Sequence, residues 1–87
     1  MQNYPNPFNS GTTIGFVLSR YERVSLAVYD ILGRQVARIV EREMEPGRHL
    51  LSWDGHDTNG GAVSSGVYFC RVTTGHGTTS RKMVLLR

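Results

Sequence analysis

Trp53-Asp54-Gly55-His56-Asp57-Thr58-Asn59-Gly60-Gly61, running on to Ser65-Gly66-Val67-Tyr68-Phe69, is the stretch that decides the fold. A large aromatic ends one alternating apolar run, small and polar residues follow, and a second β-rich run begins at Val67. The pattern reads as strand, ordered loop, strand. Asn59-Gly60 marks a tight turn because both residues tolerate positive φ, and the carboxylates of Asp54 and Asp57 suit backbone capping in Asx turns. Trp53 is then a core anchor with the loop folded over it.

Upstream, Thr12 to Leu18 sets Ile14, Phe16 and Leu18 on one face, and Val24 to Asp30 does the same with Val24, Leu26 and Val28. Period-two alternation of this kind is the signature of half-buried strands. Ile31-Leu32-Gly33-Arg34 reverses the chain, and Gln35 to Val40 returns as a hairpin partner. Val36, Ile39 and Val40 break alternation there, which a β-bulge accommodates. A helical segment across Val36 to Glu43 is the competing reading, disfavoured because Gly33 and Pro46-Gly47 leave room for only about two or three turns. Glu41 to Glu45 reads as charged and exposed, and Arg48 to Trp53 as a strand with Leu51 and Trp53 inward.

Downstream, Ala62-Val63 is a short extended piece and Ser64-Ser65-Gly66 a turn. Val67 to Thr73 places Tyr68, Cys70 and Val72 on one face and Val67 and Phe69 on the other. Gly75-His76-Gly77 turns into a closing strand, Ser80 to Leu86. Short strands punctuated by turn signals, with no convincing helix, predict an all-β, antiparallel immunoglobulin-like β-sandwich of about seven strands. Its expected core is Ile14, Phe16, Leu26, Val28, Trp53, Tyr68 and Leu85. Tyr4-Pro5-Asn6-Pro7-Phe8-Asn9 precedes it as a stiff segment, since each proline fixes its own φ and biases the residue before it toward extended geometry. Residues 1–11 are expected to be a linker or lead-in, which Tyr4 and Phe8 could pin by packing along a sheet edge, and residues 12–87 the sandwich.

Composition narrows the function classes. Eighty-seven residues, 39% of them hydrophobic and 20% charged, fit one globular domain with a single core. The formal charge of +3 comes with Lys and Arg scattered from Arg20 to Arg87, which reads as a solvated surface rather than a nucleic-acid stripe. Cys70, the only cysteine, forms no internal disulfide and sits in an apolar run as a small hydrophobe. No apolar stretch is of membrane-spanning helix length, so stable membrane insertion is not expected, and Met1 to Pro5 lacks the basic and apolar regions of a signal peptide. An exported protein containing this chain is expected to carry its export signal upstream.

Candidate chemistry is sparse. His49, His56 and His76 fall in different turns or strands without ligand spacing, and no Gly-x-Ser-x-Gly elbow exists. Asp54, Asp57 and Asn59 before Gly60 resemble half a calcium loop, but the spacing misses the alternate-residue pattern and no acid closes it. Neither enzyme activity, a metal nor a cofactor is expected. A sugar platform needs two or three exposed aromatics on one face, and Tyr21, Tyr29 and Phe69 are not evidently coplanar.

Five motifs in order carry a family resemblance: Tyr4-Pro5-Asn6-Pro7-Phe8-Asn9, Val28 to Arg34, the Trp53-Asp54-Gly55 to Gly60 loop, Ser65 to Phe69, and Arg81-Lys82-Met83-Val84-Leu85. Together they resemble the C-terminal sorting domain of proteins exported by the type IX secretion system. The Trp-Asp-Gly and Gly-Val-Tyr parts are also similar to the Ig-like domain of the flagellar hook-capping protein; the Tyr-Pro-Asn-Pro opening and Lys-Met-Val-Leu-Leu ending favour the sorting family. That resemblance implies a non-catalytic module following an N-terminal passenger, recognised by the outer-membrane translocation machinery and commonly removed by a sortase-like protease. It implies a secreted or cell-surface destination, reached through the periplasm of a Gram-negative bacterium. The matching motifs place the sorting signal on Pro5, Asn6 and Pro7, on Gly66, Val67 and Tyr68, and on Lys82, Met83 and Val84. The alternatives are a carbohydrate-binding or a structural Ig-like accessory module of a secreted multidomain enzyme.

Overall fold

The computed structural model describes all residues, Met1–Arg87, and is built from seven strands in two antiparallel sheets. The strands are β1 (Gln2–Tyr4), β2 (Thr12–Leu18), β3 (Glu22–Asp30), β4 (Gln35–Met44), β5 (Gly47–Trp53), β6 (Gly66–Thr74) and β7 (Gly77–Leu85). A three-stranded sheet runs β1-β2-β5 and a four-stranded sheet β4-β3-β6-β7. Their inner faces meet over Ile14, Phe16, Leu26, Val28, Cys70, Met83 and Leu85, all buried, which is the alternation of each strand turned into a shared core.

Trp53, at the end of β5, is 3% exposed and sits between two aromatic edges, with Phe8 at 5.7 Å and Tyr68 at 5.4 Å between ring centroids. Its Nε1–H donates to the His56 carbonyl at 2.9 Å, so the indole buries its ring without stranding its one polar atom. Tyr68 hydroxyl donates to Ser64 O at 2.7 Å, tying the other side of the loop. Asp57 Oδ1 accepts the amides of Asn59 and Gly61, each at 2.9 Å, and Asp54 Oδ1 accepts that of His56 at 3.0 Å. The loop acids are thus backbone caps.

Two local expectations change and one holds. Residues 1–11 are not a lead-in outside the sandwich: Gln2–Tyr4 pairs with β2, and Phe8 is 3% exposed within the core. Phe8 packed on Trp53, the β1–β2 ladder and the hydrogen bonds of Asn6 and Phe8 to β7 together offset the entropy lost by ordering the segment. Strand β4 runs past Val40 to Met44, whose side chain is buried at the far end of the sandwich while Glu41 and Glu43 stay in solvent. Irregularities between Leu26 and Ala27, and between Val28 and Tyr29, absorb the broken alternation around Val36 to Val40, so the segment is strand.

The β3–β4 reversal is held by one carboxylate. Asp30 Oδ1 accepts the amides of Leu32 at 2.9 Å and Arg34 at 3.0 Å, and Oδ2 pairs with Arg34 Nε at 2.9 Å. Gly33 supplies the positive φ of 82°. Partial burial opposes ionisation of Asp30 and is the largest single influence, but the two amides and the Arg34 guanidinium together outweigh it. Its carboxyl is therefore held below the ordinary range.

Three outcomes follow from this packing. Trp53→Ala should cost roughly 3 to 5 kcal/mol in equilibrium unfolding, through lost burial and a cavity between Phe8 and Tyr68; a loss under about 1 kcal/mol would place the indole in solvent. Met83→Ala should cost about 2 to 5 kcal/mol, whereas Lys82→Ala beside it should stay within about 0.5 kcal/mol of wild type. Because the folded Asp30 carboxyl is depressed, its contribution is present above the ordinary value of about 3.9 and lost as pH falls through the lower folded one. The advantage of wild type over Asp30→Asn in thermal unfolding should therefore persist near neutrality and shrink below about pH 4.

Candidate functional site

Strands β6 and β7 form a long hairpin in which Val67 pairs with Val84, Tyr68 with Met83 and Phe69 with Lys82. Alternation sends neighbours to opposite sides. Tyr68, at 7% exposed, and Met83, at 0%, point into the core, while Val67, Phe69, Lys82 and Val84 stand on the solvent face. Strand β3 continues that face on the other side of β6, where Tyr29 pairs with Phe69. The guanidinium of Arg71 lies 4.4 Å from the Tyr29 ring centroid. The solvent face thus carries an aliphatic pair, an aromatic pair and two exposed cations.

The proline segment closes the edge of the same hairpin. Asn6 Nδ2 donates to Lys82 O at 3.1 Å, and Val84 N donates to Asn6 Oδ1 at 3.0 Å, so the side-chain amide occupies the place of a neighbouring strand. Phe8 N donates to Val84 O at 3.0 Å and Leu86 N donates to Phe8 O at 2.8 Å. These four bonds satisfy edge groups that would otherwise be free to template another strand. Pro5 and Pro7 flank this clip; the carbonyl of Pro5 accepts from Thr12 Oγ1 at 2.8 Å, tying it back to β2.

Of the residues expected to carry a sorting signal, the structure therefore brings Asn6, Val67, Lys82 and Val84 to one sheet edge and its outer face. It sends Tyr68 and Met83 inward as core and leaves Gly66 at the start of β6, opposite Leu85. Sequence reading missed Tyr29 and Arg71 as parts of this face. Val67, Phe69 and Arg71 share it by simple alternation, but Tyr29 joins only through the β3–β6 register, which no local pattern encodes.

Arg87 was missed as well. Its Nη2 donates to Gly55 O at 2.7 Å, its Nε to Val63 O at 2.7 Å, and its amide to Ser65 Oγ at 2.9 Å. A Cβ at Gly55 would sit 2.7 Å from that guanidinium nitrogen, so the Gly of Trp-Asp-Gly makes room for the clamp. The terminal strand is pinned beneath the central loop rather than trailing free.

Other polar groups are engaged in structure. His49 stacks on Phe16 at 5.5 Å between centroids, His76 Nδ1 lies 3.0 Å from Glu22 Oε1, and His56 caps its own turn. Burial pushes the Cys70 thiol up from its ordinary value, keeping it protonated and unreactive within the core. A shallow groove of about 800 Å³ runs between Ser52-Trp53 and Ala37-Ile39, walled by Asp54, His56 and Asp57. Tyr29 and Phe69 are cross-strand partners, but both are half-buried and Arg71 covers the Tyr29 ring.

Comparison with known proteins fits this architecture. The family model described as the secretion system C-terminal sorting domain matches residues 2–86. Among solved structures, dimeric latent PorU from Porphyromonas gingivalis superposes with a TM-score of 0.73 at 22% identity, over 98% of this chain and 9% of that one. PorZ, an essential bacterial surface component of the type-IX secretion system of the same organism, gives a TM-score of 0.68 at 23% identity, over 99% of this chain and 11% of that one. The chain spans about a tenth of the length of either. No curated protein matches it. With two sheets, seven strands and the whole motif series accounted for, the chain belongs to the secretion system C-terminal sorting domain family.

Proposed function

We propose that this domain is a non-catalytic address that directs an N-terminal passenger across the outer membrane through the type IX translocation machinery. The address lies on the outer face and closed edge of the β6–β7 hairpin. The observation that carries this reading is convergence: Asn6, Val67, Lys82 and Val84 come from three separated motifs and meet at one edge. A fold needs Tyr68 and Met83 inside, but the core gains little from the identity of an exposed Lys82. After translocation the domain is the part removed by a sortase-like protease, leaving the passenger secreted or on the cell surface.

A periplasm-targeted fluorescent protein fused ahead of this chain tests the proposal in a host with an intact type IX system. Fluorescence should reach the medium or cell surface and stay periplasmic in a translocon-deficient strain. The double variant Val67→Ser, Val84→Ser should fold yet export about tenfold less, equivalent to losing roughly 1.4 kcal/mol of recognition. An intact fusion that folds but remains periplasmic would contradict the sorting role; full export of the double variant would move the address off this face.

A further inference from the structure

Charge is divided unevenly along the chain. All seven acidic residues lie between Glu22 and Asp57, and six of the ten Lys and Arg, from Arg20 to Arg48, lie in the same part of the chain. Residues 58–87 hold the other four cations, Arg71, Arg81, Lys82 and Arg87, and no acid, so the net +3 arises wholly in the last third. Arg87 is consumed by the central loop, and Arg81 reaches the Met1 carbonyl. Arg71 and Lys82 stay on the outer face of β6–β7, and neither takes part in any of the five ion pairs of the molecule. The one acid on that sheet face engaged by arginine, Glu41, is held by Arg23 and Arg38 at the β3–β4 edge of the same face, away from Lys82.

The two free cations bracket an apolar centre. Lys82 is the cross-strand partner of Phe69, Arg71 follows Phe69 by two residues on the same face, and Val67 pairs with Val84 beside them. Stacking on Tyr29 orients the Arg71 guanidinium while leaving its in-plane N–H donors unspent. A flat face with unspent donors around half-buried aromatic and aliphatic side chains has the composition of a recognition surface, apolar inside and charged at its margin.

We propose that the partner reading this face is an acidic protein segment, whose carboxylates meet Arg71 and Lys82 while its apolar side chains cover Val67, Phe69 and Val84. This rests on the sorting reading and names the chemistry of the partner. Charge complementarity selects an acidic occupant. The aliphatic pair selects a protein, since an anionic sugar supplies charge with nothing to match two valines. A second copy of this chain is disfavoured, because a two-fold contact through this face would set Arg71 and Lys82 against their own kind.

The reporter fusion again supplies the test, with charge as the variable. Arg71→Glu with Lys82→Glu should lower export about a hundredfold, the neutral pair Arg71→Gln with Lys82→Gln about tenfold, and Arg42→Glu with Arg48→Glu, off this face, not at all. Thermal unfolding of each purified fusion checks that the fold persists. Lys82 is the sole lysine of the chain, so a zero-length carbodiimide applied during export should join its amine to a partner carboxylate as an amide. Lys82→Arg should keep export and lose that adduct. Normal export of the folded Glu pair would overturn the acidic partner while leaving the sorting role intact, as would a Lys82 adduct carrying polysaccharide instead of peptide. Failure of the wild-type fusion to leave the periplasm would overturn both.

Discussion

The burial of Trp53 is the constraint on which the rest of the domain depends. Its indole closes one end of the sandwich, and the only ways to cover so large a ring in a chain this short are the aromatic edges of Phe8 and Tyr68 and the loop that follows it. Each cover has its own consequence. Phe8 drags the proline segment onto the edge of β7, Tyr68 fixes which face of β6 is inward, and the His56 carbonyl that accepts the indole N–H positions the loop.

From that anchor the outer face follows. Once Tyr68 is inside, alternation leaves Val67, Phe69 and Arg71 outside, and the β6–β7 register sets Val84 and Lys82 beside them. Asn6 then closes the adjoining edge by hydrogen bonds that a strand would otherwise make, and Arg87 pins the chain end beneath Gly55 and Val63. A surface fixed at its core, its edge and its end loses little conformational entropy on binding a partner.

Much of this was legible from residues alone. Alternation located Ile14, Phe16, Leu26 and Val28, and the flanking of Asn59-Gly60 by β-rich runs marked the central loop. The segment before Gly11 was harder, because prolines announce extended geometry without saying whether a strand edge waits for it; Phe8 declares itself only when Trp53 is seen to need a cover. Tyr29 and Arg71 required strand register, a long-range property. Arg87 required knowing that the Gly55 and Val63 carbonyls, distant from it in sequence, converge on its guanidinium. The charge asymmetry was visible in the sequence, but counting cations without counting the missing acids made it look like scatter.

Site-specific photo-crosslinking during export tests the account most directly. A photoreactive residue at Phe69, on the outer face of the four-stranded sheet, is compared with one at Arg48, on the three-stranded sheet. Position 69 should join the fusion to a protein of the translocation machinery, and position 48 should not. Crosslinking from position 48 with none from position 69, in fusions that are both exported, would place the address on the opposite sheet and contradict the account.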